Sequence, residues 1–212
     1  RTVSFISSEK PGKKILKRGR YIAFEGWEAS GKSTQAERLA KKLDAVLTRE
    51  PGGTELGAAI REMLLGDGPV PSARSEALLF AADRAHHLDT IVEPALVLGR
   101  DVVTDRSFGS TLAYQGYGRG QSLDDLHTLI EWASGGLLPD IIILLQVPVE
   151  ISNQRLGATR DRMEREDEGF AQRVIRGFQL LAEQDANRWK IVDASGSVEE
   201  IELLVNKALE ED

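Results

Sequence analysis

A parallel α/β sheet wrapped by helices is the fold this sequence predicts, on three observations. From Arg20 onward short apolar runs alternate with longer helical patterns, as in chains whose strands are joined by crossover helices. Three candidate strands stop at a charged residue, Glu25, Asp105 or Asp193, and ligands in such sheets sit beyond the carboxyl ends of the strands. The 212 residues, 41% hydrophobic and 29% charged, suffice for one domain with a substantial core.

The elements follow in order. "YIAFE", Tyr21–Glu25, is apolar up to its last residue and reads as the first strand; an amphipathic helix is expected over Ser33–Leu43. The second strand, Ala45–Thr48, leads into Arg49 and a Pro-Gly-Gly turn, and the helix Glu55–Leu65 follows. The glycines and prolines of "GDGPVPSA", Gly66 to Ala73, end that helix. A single long helix is expected over Ser75–Leu98, then a third strand, Val102–Thr104, and a helix Ser122–Ser134. The longest apolar run, "IIILLQV" from Ile141 to Val147, is too short to span a membrane and suits a buried strand, Ile141–Gln146. Helices Val149–Leu156 and Glu168–Asn187 flank the Arg-rich segment from Arg155 to Asp167, which is too charged to be core. A last strand, Lys190–Asp193, precedes the helix Val198–Glu210. Residues 1–19, with the basic cluster "KPGKKILKRGR", are expected to be a solvated tail outside a single domain of residues 20–212.

The composition excludes several classes of function. No cysteine is present, which rules out disulfides, thiolate metal sites and cysteine nucleophiles and fits a reducing cytoplasm, where the chain is expected. A net charge of −7 argues against nucleic acid and against an anionic membrane surface as partners.

"GWEASGKS" fits G-x-x-x-x-G-K-[ST] through Gly26, Gly31, Lys32 and Ser33, between a strand and a helix. Glycines let backbone N–H groups converge on phosphate oxygens, Lys32 brings a mobile charge to the β- and γ-phosphates, and the Ser33 hydroxyl can ligate Mg²⁺. A GTPase switch is a poor fit, because Asn206-Lys207 lies inside the last helix and Asp193 to Gly196 follows the last strand. At the end of the third strand Asp105 and Arg106 emerge at the carboxyl edge, beside the phosphate loop if the two strands are neighbours. The carboxylate would hold a water on Mg²⁺ and the guanidinium a second phosphate. Arg49 ends the second strand, and Phe80 and Arg84 share a helical face on which a planar base could stack and be hydrogen-bonded at its edge. These residues leave open a kinase of a nucleoside monophosphate, a deoxynucleoside kinase, or a nucleotide-binding regulatory module without turnover.

From Arg20 onward the chain resembles the thymidylate kinases, through "FEGWEASGKST", "TREPGGTELG", "LLFAADRA", "VVTDRSFGSTLAYQG" and "DRMERE", in that family's order and at compatible spacing. The resemblance implies a P-loop NTPase fold, a five-stranded parallel sheet flanked by helices, with an Arg-rich lid over about residues 155–167 and usually a homodimer. It implies transfer of the γ-phosphate of ATP to dTMP with Mg²⁺. Catalysis falls to Lys32, Arg106, Asp105 and the lid arginine Arg162. ATP would be held by Gly26, Glu28, Ala29, Ser30, Gly31, Lys32, Ser33, Thr34 and Arg155, with the segment Ala194 to Ser197 near adenine. For dTMP it implies that Phe80 stacks on thymine, Arg84 bonds its edge, and Thr111 and Gln115 lie around it. Tyr114 would crowd the sugar 2′ position, Glu28 would reach the 3′-hydroxyl, and Arg49 and Arg106 would hold the phosphate. Mg²⁺ would involve Ser33 and, through water, Asp105. Two positions depart from the family pattern: Ser107 replaces an aromatic or His, and Ala29 replaces a glycine, which is strained if φ there is positive.

Overall fold

In the computed structural model, which describes residues 17–156, 162, 163 and 165–210, five parallel strands form one sheet. They are β1 Tyr21–Glu25, β2 Val46–Arg49, β3 Val102–Asp105, β4 Ile141–Gln146 and β5 Trp189–Asp193, in the order β2-β3-β1-β4-β5. All five expected strands are present, with ends shifted by one residue at most. β1 and β3 are neighbours, the condition for Asp105 to lie beside the phosphate loop, with Phe24 opposite Asp105; β2 pairs with the other edge of β3, with Arg49 opposite Asp105. Because β1 and β2 are consecutive in the chain yet separated by β3, the crossover opens a crevice at the carboxyl ends of β1 and β3.

The helices are α1 Lys32–Leu43, α2 Glu55–Leu65, α3 Ala73–His87, α4 Glu93–Val97, α5 Phe108–Thr111, α6 Leu123–Ser134, α7 Val149–Arg155, α8 Glu168–Gln184 and α9 Val198–Glu210. Side chains alternate across the sheet. Ile22, Phe24, Ile143 and Leu145 pack toward α1 and α9, meeting Leu39, Ile201 and Val205. Ala23, Ile142 and Leu144 face the other layer, where Leu112, Leu126, Phe170, Val174 and Phe178 form the larger core. Side-chain caps start five of the helices: Thr54 accepts from Gly57 N–H, Ser72 from Ser75, Ser122 from Asp125, Asp167 from Phe170 and Ser197 from Glu200.

Three expectations are corrected. The long helix expected over Ser75–Leu98 starts at Ala73 and is interrupted by a wide π turn, Leu88–Val92, just before Pro94, which has no N–H to continue the helical ladder. Phe108–Gly118, to which no element was assigned, is helical: α5 runs into a second π turn, Leu112–Gly118. The body also begins earlier than Arg20. Arg18 pairs with Asp140 at 2.8 Å and Gly19 N–H donates to the Leu96 carbonyl at 3.0 Å, while a Cβ at Gly19 would overlap the Arg100 carbonyl. The rest of the expected tail, residues 1–16, lies outside the described residues, as do Arg160 and its neighbours 157–161 and residue 164 in the Arg-rich segment. Among the described residues no helix is long and apolar enough to cross a membrane.

Candidate active site

The loop between β1 and α1 is bent by residues with positive φ: Gly26 at 141°, Ala29 at 51° and Gly31 at 92°. Gly26 has no alternative, since a Cβ there would sit 2.5 Å from the Leu145 carbonyl and φ would be strained as well. Ala29 does occupy the left-handed region its glycine-replacing position implied. Lys32 is buried at the start of α1, its Nζ donating to the Trp27 carbonyl at 2.7 Å and to Ser30 Oγ at 3.4 Å. Burial, aided by the positive charge of Arg106, pulls its pKa down to about 8. Ser33 Oγ donates to Asp105 Oδ2 at 2.5 Å, so the two expected metal-site groups meet across the β1–β3 crevice.

A cavity of about 360 Å³ opens over this loop, with Ala29, Gly31, Thr34, Arg49 and Arg155 in its wall beside the groups already named. Arg155, the last residue of α7, donates to the carbonyls of Ala194, Ser195 and Gly196 at 2.8 to 3.2 Å, which ties it to the segment expected near adenine. Among the described residues no group of three or more His, Asp or Glu could hold a metal. The residues present still fit Mg²⁺, an oxygen-seeking ion that keeps most of its water and shares the nucleotide's phosphates. Ser33 offers a hydroxyl, and the second carboxylate oxygen of Asp105, Oδ1, is buried without a hydrogen-bond partner.

Beyond the phosphate cavity lies a smaller one of about 60 Å³, and Arg106, with Glu28, Glu50 and Arg61, lines both. Its Nη2 lies 2.6 Å from Glu28 Oε1 and 3.2 Å from the Tyr114 hydroxyl, and its Nη1 donates to Ser110 Oγ at 3.0 Å and to the Gly26 carbonyl at 3.2 Å. The Tyr114 hydroxyl donates to the same Glu28 oxygen at 2.6 Å. Burial would raise the Glu28 pKa, but the charges of Arg106 and Lys32 and the Tyr114 bond outweigh it and hold the carboxylate below its ordinary value. The Arg106 backbone has φ 73° and its N–H donates to the Phe24 carbonyl at 2.9 Å, so the guanidinium is aimed by a strained, bonded turn.

Phe80 and Arg84 both line the smaller cavity, one helical turn apart on α3. Arg84 is fixed on two sides: Nε donates to Glu50 Oε2 at 2.8 Å and Nη2 to Thr111 Oγ1 at 3.0 Å, while Nη1 is buried with no partner. Gln115 also lines the cavity, its amide donating to Glu76 Oε1 at 2.9 Å. Two residues that matter here carried no assignment from sequence. Glu50 anchors Arg84 and also meets His87 Nδ1 at 3.0 Å; the Arg84 charge and the hydrogen bond to His87 outweigh burial and lower its pKa. Arg61, on α2, lines both cavities and donates to the Pro51 carbonyl at 3.1 Å. Glu50 lies inside the quoted "TREPGG", where a carboxylate before the turn was the available signal; Arg61 gave none.

Arg162 is the expected site residue that the structure does not bring to the phosphate loop. Its guanidinium donates to the carbonyls of Gly66 at 2.7 Å and Gly68 at 3.0 Å, and Arg165 pairs with Asp67 at 2.6 Å.

A family model described as thymidylate kinase matches residues 24–205. The thymidylate kinase of Synechococcus sp. (strain CC9902) is 46% identical over 206 residues, covering 91% of this chain and 98% of its own length. That of Bifidobacterium longum (strain NCC 2705) is 43% identical over 202 residues, with the same coverage of 91% and 98%. The crystal structure of thymidylate kinase from Ehrlichia chaffeensis superposes with a TM-score of 0.78 at 31% identity, over 91% of this chain and 99% of that one. With a family model that matches most of the chain, and relatives of this identity along almost their whole length, the chain belongs to the thymidylate kinase family.

Proposed function

We propose that this protein transfers the γ-phosphate of ATP to dTMP, giving dTDP and ADP. The observation that carries the reading is Arg106, one guanidinium bonded to Gly26 and Glu28 of the phosphate loop and to Tyr114 of the neighbouring cavity. It stands where a donor and an acceptor phosphate would meet.

An oxygen of the ionised dTMP phosphate attacks the γ-phosphorus, and the bond from that phosphorus to the β,γ-bridging oxygen breaks, leaving ADP. The nucleophile is already an anion, so no strong base is needed; alignment and positive charge are. Lys32 supplies charge to the β- and γ-phosphates, and Arg106 with Arg49 holds the acceptor phosphate. Mg²⁺, held by Ser33 and through water by Asp105, would neutralise charge on the nucleotide phosphates. Thymine would stack on Phe80 with its edge on the free Nη1 of Arg84, supported by Thr111 and Gln115. Glu28 would accept from the sugar 3′-hydroxyl, and the Tyr114 ring beside it would leave no room for a 2′-hydroxyl. Arg155 would contact ATP. Arg162 would serve the transition state after leaving the carbonyls of Met63, Gly66 and Gly68.

A homodimer in the cytoplasm completes the reading. Trp132, 82% exposed on α6, and Leu78, 52% exposed on α3, lie on helices that pack together and suit a second copy. The deciding experiment is ATP-dependent ADP release with dTMP, dUMP, UMP, AMP, GMP and thymidine offered separately. Turnover with dTMP well above the others is expected; none above the acceptor-free control would overturn the reading.

A further inference from the structure

Glu25, the last residue of β1, has no exposed surface, and no step of the transfer uses it. A buried carboxylate persists only when its oxygens are bonded. Here every partner comes from one short segment. Oε1 accepts from the backbone N–H groups of Ser107 at 3.0 Å and Ser110 at 2.9 Å, and Oε2 accepts from the Ser110 hydroxyl at 2.6 Å. Ser110 Oγ in turn accepts from Arg106 Nη1 at 3.0 Å. Glu25 therefore grips the turn on the carboxyl side of Arg106 at two N–H groups, and reaches the guanidinium through a single hydroxyl.

The turn needs such a grip. Arg106 has φ 73°, a conformation that residues with a Cβ avoid. The approach is close enough that a Cβ at Gly109 would lie 2.8 Å from Glu25 Oε1 and 2.6 Å from the Trp189 ring. The charged and titratable groups facing Glu25 are Arg106, Lys32 and Tyr21. Burial raises its pKa to about 7, against the opposing pull of Ser110, Arg106 and Ser107.

We propose that Glu25 is a positioning residue for the transfer to a nucleoside monophosphate. Through Ser110 it sets the angle at which the Arg106 guanidinium meets the acceptor phosphate, and through the two N–H groups it holds the strained backbone that carries Arg106. The proposal rests on the reading of Arg106 as the residue that holds that phosphate.

Steady-state kinetics, varying dTMP and ATP separately, test it in Glu25→Gln, Ser110→Ala, the double variant and Arg106→Lys, with melting temperatures taken alongside. Glutamine keeps an oxygen for both N–H groups but offers Ser110 a donor where it had an acceptor. Glu25→Gln and Ser110→Ala are each expected to raise the dTMP KM about tenfold, the scale of one charge-assisted hydrogen bond, and to leave the ATP KM within about twofold. The double variant should be no worse than the weaker single one, because both act through one hydroxyl. Protonation of Glu25 has the same effect as the amide, so the wild-type dTMP KM should climb below about pH 7 more steeply than that of Glu25→Gln. The dTMP phosphate titrates identically in both assays. A wild-type dTMP KM and pH profile in Glu25→Gln, or equal losses for ATP and dTMP, would overturn the proposal. If Arg106→Lys is impaired for dTMP while Glu25→Gln is not, the proposal fails alone. An Arg106→Lys enzyme with a wild-type dTMP KM removes the phosphate reading and the proposal together.

Discussion

The Trp27 indole lies stacked on the Tyr114 ring, with centroids 5.7 Å apart and planes 17° from parallel. One ring belongs to the phosphate loop and the other to the π turn Leu112–Gly118, so the loop and the wall of the smaller cavity share a packing contact. The Trp27 carbonyl also accepts from Lys32, and the Tyr114 hydroxyl donates to Glu28. Trp27→Ala should therefore loosen the ring proposed to crowd the sugar as well as cost stability, about 3–5 kcal/mol for so large a deletion. The expected outcome is a fall of about tenfold in the preference for dTMP over its 2′-hydroxy counterpart, read as a ratio of kcat/KM values. Trp27→Phe should restore most of it. A folded Trp27→Ala enzyme with unchanged preference would show that Tyr114 holds its place without the stack.

Arg84 carries the base reading. Glu50 and Thr111 fix its guanidinium and leave Nη1 buried without a partner, so a base edge is what would complete it. Arg84→Met should raise the dTMP KM about a hundredfold, since an ionic hydrogen bond is lost and Glu50 loses one of its two partners. The ATP KM should stay near wild type. Equal weakening of both substrates would mean that Arg84 supports the fold and reads no base.

The strands and the phosphate loop were legible because their signals are local: an apolar run, a glycine spacing, a lysine at the mouth of a helix. The segment Phe108–Gly118 was not, because its helical path depends on distant partners. Gly116 and Gly118 are there to let Leu123 and Phe170 approach, and a Cβ at either would meet those side chains at 2.5 and 2.7 Å. Glu25 was visible as a carboxylate at a strand end and Glu50 as one before the Pro-Gly-Gly turn, yet their meaning lies in Ser110 and in Arg84, respectively 85 and 34 residues away. Neither spacing nor composition encodes such pairings. The bonds of Arg162 to Gly66 and Gly68, some 95 residues upstream, were equally beyond a linear reading.

Glu25 should make stability depend on pH. Its pKa in the folded state, about 7, lies above the ordinary 4.5, so the native state binds this proton more tightly than the unfolded chain does. The resulting stabilisation is complete below 4.5 and is lost as pH rises through 7. Glu25→Gln removes the ionisation, so the variant should melt higher than wild type at about pH 8, the gap closing near pH 4. Parallel melting curves for the two proteins at every pH would contradict a raised Glu25. An active site that gives up stability to hold Arg106 in a strained turn is an ordinary exchange of stability for function.

The proposed role of Arg162 is at the transition state. Its present partners include the carbonyls of Met63, Gly66 and Gly68, which are neutral acceptors and hold a guanidinium less strongly than phosphate oxygens do. Arg162→Ala should lower kcat about a hundredfold or more, as removal of one transition-state donor does, with the dTMP KM changed by less than about threefold. An unchanged kcat would remove Arg162 from the mechanism.

Ala29 holds φ 51° in a loop where two glycines already supply the other positive angles. A residue with a Cβ pays about 1–2 kcal/mol for that region, whereas glycine is at ease there but loses about 0.5–1 kcal/mol more chain entropy on folding. The strain term is the larger, so Ala29→Gly should stabilise the protein by up to about 1 kcal/mol, a rise of about 2–4 °C in Tm for a chain of this size. The backbone path around the phosphates is unchanged by the swap, so the ATP KM should stay put. A lower Tm would mean that the folded loop holds Ala29 in this conformation through contacts of its methyl group, and that the entropy term outweighs the strain.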